Sequence, residues 1–356
     1  MDHFNLIQLP DSVEKTDDNL ELQIYSYSSC TNESSDEQKA FRGLVFNGDM
    51  LVASSLGYTP EYNETCIPDV DVDDYTFFSS EEGTLLRVYH FNSTWYISTH
   101  RKLDAFKSKW GSNQSFGDIF LTCLGKSFEE LTSTLCQFHV YFFLIRSTKE
   151  TRIVSQEPDT PTVYHVGTLL NNEMFDMSLD INVPKQSELL FQTMEEVTDY
   201  VTNSDPFKSQ GVIAFKKDGS GSHFKILNSK YQMYVKVRNN EPDTSFRFLQ
   251  LWRDQTDSSE EYQLFLELYP QYKKRDQLYL MNTLKLAKYL QNMYFKKFVK
   301  KEKMIFQKDE WHILQNVHRW YWVEKDTRKV TFDVMHKLAL SDMNIRSFHR
   351  LLKKNN

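Results

Sequence analysis

The sequence predicts an α+β protein in two parts, an antiparallel-sheet domain over residues 1–255 and a basic helical domain over residues 256–356. Up to about residue 250, apolar and polar residues alternate in short runs broken by Asn-Gly, Asn-Ser and Asp-Gly, the pattern of half-buried strands joined by hairpins. From about residue 260 the apolar residues fall three and four apart, the spacing of one helix face. Charge changes there too: residues 260–356 hold 20 Lys+Arg against 11 Asp+Glu, a net +9, which leaves −16 for residues 1–259 of a chain whose formal net charge is −7.

In order along the chain, a strand is expected at 20–27, then an exposed polar loop in SSCTNESSDEQK. Strands follow in LVFNGDMLVASS, TLLRVYHFNSTWYIST, FHVYFFLIR, RIVSQ, TVYHVG, GVIAFKKD and HFKILNSKYQMYVKV. Residues 127–138 and 193–201 have helical spacing, and residues 237–252 read as the link to the helices, with a turn at Asn240, Glu241 and Pro242. No internal repeat at a solenoid period is found.

At 356 residues and 14% aromatic, with few Gly and Pro, the chain can bury a sizeable core and is not of low complexity. No run of about 18 apolar residues occurs and the first residues lack the basic and apolar regions of a signal peptide, so no membrane association is expected and a cytoplasmic location is. Cys30, Cys66, Cys123 and Cys136 stand too far apart for a C-x-x-C metal pair, and His100 has no neighbouring ligand, so no metal site is expected. The G-x-S-x-G, H-E-x-x-H, Walker and G-x-G-x-x-G patterns are absent. GSGSH (219–223) lies in a hairpin turn and not before a helix. Asp71, Asp73 and Asp74 lack EF-hand spacing and read as a solvated loop.

Four segments, in order, carry chemistry together. They are FRGLVF (41–46); SSEEGTLLRVYH (79–90), followed by FKSKWGS (106–112); TRIVSQE (151–157); and SQGVIAFKKDGSGSHFKIL (209–227). Their order and spacing over residues 40–230 resemble the bacteriophage class-one type of RNA ligase, a covalent nucleotidyltransferase family. The resemblance implies an RNA-ligase-like domain, and its phage relatives suggest a virus-encoded source. In that chemistry a lysine amine attacks the α-phosphorus of ATP, and further lysines and Mg stabilise the phosphates.

Against that pattern, the nucleophile position is Ser80, which has no amine. The glutamate before TRIVSQE falls on Leu144 or Ile145, depending on one gap, the second glutamate is Gln210, and the second lysine of the last strand is Leu227. Arg42, Gly43, Glu82, Gly83, Lys107, Lys109 and Lys225 persist as candidate nucleotide or phosphate contacts. Alternation along FKSKWGS would put Lys107 and Lys109 on one face; solvated lysines on an exposed sheet are the competing reading. The resemblance thus implies a degenerate, non-catalytic member.

The helical part adds Lys296, Lys297, Lys300 and Lys301 with Trp320 and Trp322, a mixture that suits RNA or an acidic protein partner. Three functions are weighed: a pseudoenzyme that binds nucleic acid or protein; an active ligase using ATP and Mg with a non-standard lysine, Lys102 or Lys107 first; and a structural or virion assembly protein. The oligomeric state is left open.

Overall fold

A computed structural model describes residues 4, 6, 8–146, 152–253, 260–341 and 343–354. Packing divides the chain into Met1–Val235 and Lys236–Asn356. The expected boundary at 255/256 lies outside the described residues; the division by packing falls earlier, because the helix at Thr244–Arg253 inserts Leu249 into the core of the second unit. Residues 236–259 hold four basic and four acidic residues, so the second unit keeps its net +9.

In the first unit β1 (Val13–Asp18), β2 (Gln23–Tyr27), β3 (Arg42–Asn47) and β4 (Met50–Ala53) form one antiparallel sheet in that order. β5 (Glu61–Asn63) and β6 (Tyr75–Ser80) join a second sheet described below. β7 (Thr84–Phe91), β8 (Thr94–Ser98), β9 (Val140–Arg146), β10 (Thr162–Leu170) and β11 (Met174–Asp176) form another antiparallel sheet, ordered β11-β10-β9-β7-β8. β12 (Glu188–Leu189), β13 (Gly211–Lys216) and β14 (His223–Leu227) complete the sheet β12-β6-β13-β14-β5, in which only the β14/β5 pair is parallel among the described residues.

Strand alternation gives each sheet two faces. Ile24 and Val45, Tyr89 and Phe142, and Phe215 come from the three different sheets and meet in one shared core. The far face of the β9 sheet packs under α2 (Phe116–Leu124) and α3 (Phe128–Thr132), and that of the β13 sheet under α4 (Met194–Asn203). The β7–β8 hairpin turns through Asn92 and Ser93, both at positive φ, as a two-residue hairpin loop requires.

Four expectations are corrected, each for a local reason. HFKILNSKYQMYVKV is not all strand: β14 ends at Leu227, and Asn228 accepts the Tyr231 N–H at 3.1 Å to open the helix Ser229–Arg238. FKSKWGS is not a strand, because Asp104 accepts the Phe106 N–H at 2.9 Å and caps a 3-10 turn at Ala105–Lys107. RIVSQ pairs with no strand among the described residues, since the N–H groups of Ile153, Val154 and Ser155 go to a carboxylate described below and that of Gln156 to the Phe207 carbonyl; Thr151 lies outside the described residues. The presumed link at 237–252 is mostly helix, Thr244–Arg253, capped by Asp243. Two smaller differences are a helix in the polar loop, α1 (Asp36–Ala40), and a helix cut to α3 within residues 127–138.

In the second unit the long helix Asp276–Tyr294 runs into a π-turn at Phe295–Val299 and packs with the helices Lys308–Val323, Phe332–Ser341 and Ile345–Lys354 around Leu286, Leu290, Leu314, Met335 and Phe348. Among the described residues no helix is long and apolar enough to cross a membrane.

Candidate functional site

Ser80 ends β6 opposite Gly211 at the start of β13, and is 1% exposed. Its hydroxyl donates to Gln210 Oε1 at 3.0 Å. The half-buried Lys225 ammonium, one strand further on, donates to the same oxygen at 2.9 Å. Gln210 Nε2 donates to the Tyr231 hydroxyl at 2.9 Å, and that hydroxyl donates to Glu82 Oε2 at 3.0 Å. Glu82 also accepts the backbone N–H groups of Ile153, Val154 and Ser155 at 2.6, 2.8 and 3.1 Å. Five side chains from distant parts of the sequence thus form one continuous hydrogen-bonded group.

Burial lowers the Lys225 ammonium from its usual 10.5 to about 8, helped by Arg42 and against the pull of Glu61 and Glu82. At neutral pH it stays mostly charged. Burial, with the Glu82 charge beside it, pushes the Tyr231 phenol well above its usual range. Next to Glu82, Glu81 forms an ion pair with Arg146, and burial raises its carboxyl while Arg146 opposes the shift.

Arg42 lies beside this group and is already engaged: its Nη1 donates to Thr59 Oγ1 at 2.7 Å and to the Gly57 carbonyl at 3.2 Å. His223 Nδ1 faces the Gly221 carbonyl at 2.8 Å, so it carries the proton, and Nε2 accepts from Thr59 at 2.8 Å. Burial lowers His223 to about 4, so it is neutral. Gly43 is buried in β3 against the backbone of His100, and a Cβ at Gly83 would stand 2.4 Å from the Ile145 carbonyl oxygen. These glycines are accounted for by close packing.

Leu144 shares the face of β9 that carries Val140 and Phe142 into the shared core, whereas Ile145 points into the core under α2, and neither offers a polar atom. Leu227 is 4% exposed and lies on the Lys225 side of β14. Lys107 and Lys109 are not brought to Ser80. Lys107 has an 82% exposed side chain paired with Asp104 at 3.1 Å, and Lys109 is exposed in the following loop, because the 3-10 turn replaces the alternating strand. Lys102 pairs with Asp17 at 3.4 Å. Neither alternative nucleophile joins the Ser80 group.

In the helical unit Lys296 and Lys297 lie in the π-turn, and Lys300 and Lys301 just after it. Trp320 is half-buried with the Arg328 guanidinium 4.8 Å over its ring. Trp322 is 56% exposed. Sequence reasoning missed Tyr231, Arg146, Thr59 and His223, which come together only by folding. It also missed His318, whose four-residue spacing from Trp322 was a usable signal.

No protein-family model matches the chain. It is 30% identical over 359 residues to an immediate-early protein ICP-46 homolog of Invertebrate iridescent virus 6, covering 88% of this chain and 76% of that protein. It is 36% identical over 212 residues to the ICP-46 homolog of Invertebrate iridescent virus 3, covering 58% of this chain and 45% of that one. It is 22% identical over 248 residues to the immediate-early protein ICP-46 of Frog virus 3, covering 63% and 62%. Among solved structures it is similar to a putative ATP-dependent DNA ligase from Aquifex aeolicus, with a TM-score of 0.42, 11% identity and coverage of 87% and 85%. It is also similar to an archaeal ATP-dependent RNA ligase, with a TM-score of 0.40, 9% identity and coverage of 87% and 84%.

Proposed function

We propose a binding function without covalent catalysis for this chain, which belongs to the family of the viral immediate-early protein ICP-46 homologues. On this reading an RNA-ligase-like sheet unit serves as a scaffold and the helical unit, with its net +9, supplies most of the affinity for nucleic acid. One observation carries it. Where the resemblance calls for a lysine, Ser80 offers a buried hydroxyl already bonded to Gln210, whose carbonyl oxygen also takes Lys225.

The residues present do not fit ATP and Mg in the manner of the resembling enzymes. Gln210 offers a neutral amide, Leu144, Ile145 and Leu227 offer no polar atom, and Glu82 already accepts four hydrogen bonds. Intact-mass measurement of the full chain after incubation with ATP or GTP plus Mg or Mn tests the reading, and an unchanged mass is expected.

A second reading rests on Lys225, whose lowered pKa leaves a fraction of free amine beside Ser80. Attack by that amine on the α-phosphorus would form a P–N bond, release pyrophosphate and pass the ammonium proton to solvent. A mass gain of one nucleoside monophosphate, absent in Lys225→Met, would establish it and overturn the first reading.

A further inference from the structure

In the helix Lys308–Val323, Trp311, His318 and Trp322 stand seven and four residues apart, on one face. Phe298, from the π-turn, lies flat against His318 with ring centroids 3.9 Å apart at 16°, and nearly parallel to Trp311 at 6.1 Å and 14°. The Trp322 indole N–H donates to His318 Nε2 at 2.7 Å, so the neutral imidazole carries its proton on Nδ1 and donates it to the Tyr294 hydroxyl at 3.0 Å. Tyr294 is 3% exposed and belongs to the core, so this chain of bonds ties an exposed indole to a rigid base.

Cations border the rings. Lys297 Nζ lies 5.9 Å from the Trp311 ring centre and Lys325 Nζ 5.5 Å from that of Trp322. Lys296, Lys300 and Lys301 are exposed, and among the described residues their amines make no hydrogen bond or ion pair. The π-turn is held by the Lys300 N–H to the Phe295 carbonyl at 2.9 Å and the Glu302 N–H to that of Lys296 at 3.0 Å, and it carries these lysines on the same short turn as Phe298.

We propose that this surface holds single-stranded nucleic acid, a base stacking on Trp322 while Lys296, Lys300 and Lys301 take phosphates. This rests on the binding reading above and names its partner. Unpaired amines call for an anionic polymer. An exposed indole anchored to a stack of rings calls for one that also presents flat faces, which an acidic peptide lacks and a duplex keeps stacked within itself.

The test measures fluorescence anisotropy of labelled oligouridylate, and of a duplex RNA of equal length, with the full chain at about 50 mM salt. Trp322→Ala is expected to weaken oligouridylate binding roughly five- to a hundredfold and Trp322→Phe to recover most of it, with duplex binding unchanged in both. Lys296→Gln, Lys300→Gln and Lys301→Gln together should weaken both ligands and reduce the salt slope for oligouridylate by about two. Circular dichroism checks that the variants fold. Unchanged oligouridylate affinity in Trp322→Ala, with loss in the lysine variant, overturns the stacking inference while the binding reading stands. No binding of either RNA overturns both, as does tighter binding to phosphatidylserine vesicles than to oligouridylate.

Discussion

In the sheet unit, Ser80, Gln210, Lys225, Tyr231 and Glu82 bond to one another, whereas in the helical unit Lys296, Lys300 and Lys301 carry amines without acceptors among the described residues. The difference separates two uses of polar side chains. A ligand entering the first group must break existing hydrogen bonds before it forms its own, so its net gain is small. A ligand meeting the second exchanges only water and counterions, and releasing the counterions drives binding. Substitutions should therefore be felt as stability in the sheet unit and as affinity in the helical one.

The largest expected break of that contrast is Glu82→Ala. It removes the acceptor shared by the Ile153, Val154 and Ser155 N–H groups and the Tyr231 hydroxyl, at a cost of about 3–5 kcal/mol in chemical denaturation. Glu82→Gln, which keeps one oxygen, should lose clearly less. Next comes Gly211→Ala: Gly211 has φ +137° and a Cβ would stand 2.1 Å from the Ile226 carbonyl oxygen, so thermal melting should report a loss of about 2–3 kcal/mol. Neutralising Lys296, Lys297, Lys300 and Lys301 together should leave the melting curve within about 0.5 kcal/mol of the native one. The same variant should bind RNA at least about tenfold more weakly at low salt. A stability loss as large as that of Glu82→Ala would mean that the lysines are structural and would undo the contrast.

A pH series sharpens it. The folded Lys225 titrates near 8 and the unfolded one near 10.5, so below pH 8 both are charged and the folded state carries the full penalty of a partly desolvated ammonium. Between pH 8 and 10.5 the unfolded chain binds more protons, and stability should rise with pH. Lys225→Met lacks this rise, and the difference between native and variant stabilities over pH 7–10 isolates it from the tyrosines. Smallest of all, Ser80→Lys alone should yield no nucleotide adduct by intact mass, because Leu144 or Ile145, Gln210 and Leu227 remain. Robust labelling of that variant would show that the site tolerates catalysis.

The hairpins were legible because their turns are local: Asn92-Ser93 and the Gly48 turn announce themselves within four residues. Misreadings fell where a side chain overrode the pattern. SKYQMYVKV alternates like a strand, yet Asn228 caps it into a helix, and FKSKWGS alternates until Asp104 turns it. Of the candidate site, Ser80, Glu82, Gln210 and Lys225 could be named from motif order. Tyr231, which joins Gln210 to Glu82, could not, because it lies in a segment read as strand and 149 residues from Glu82.

The reach of Glu82 also has a consequence during synthesis. Its partners lie 71 to 149 residues further along, so on the ribosome the carboxylate emerges long before anything can bond to it. At roughly 5–20 residues per second, on the order of ten seconds separate Glu82 from Tyr231. Until β13 follows, β6 lacks that neighbour, and a pause or truncation before residue 231 would leave Glu82 without the Tyr231 hydroxyl.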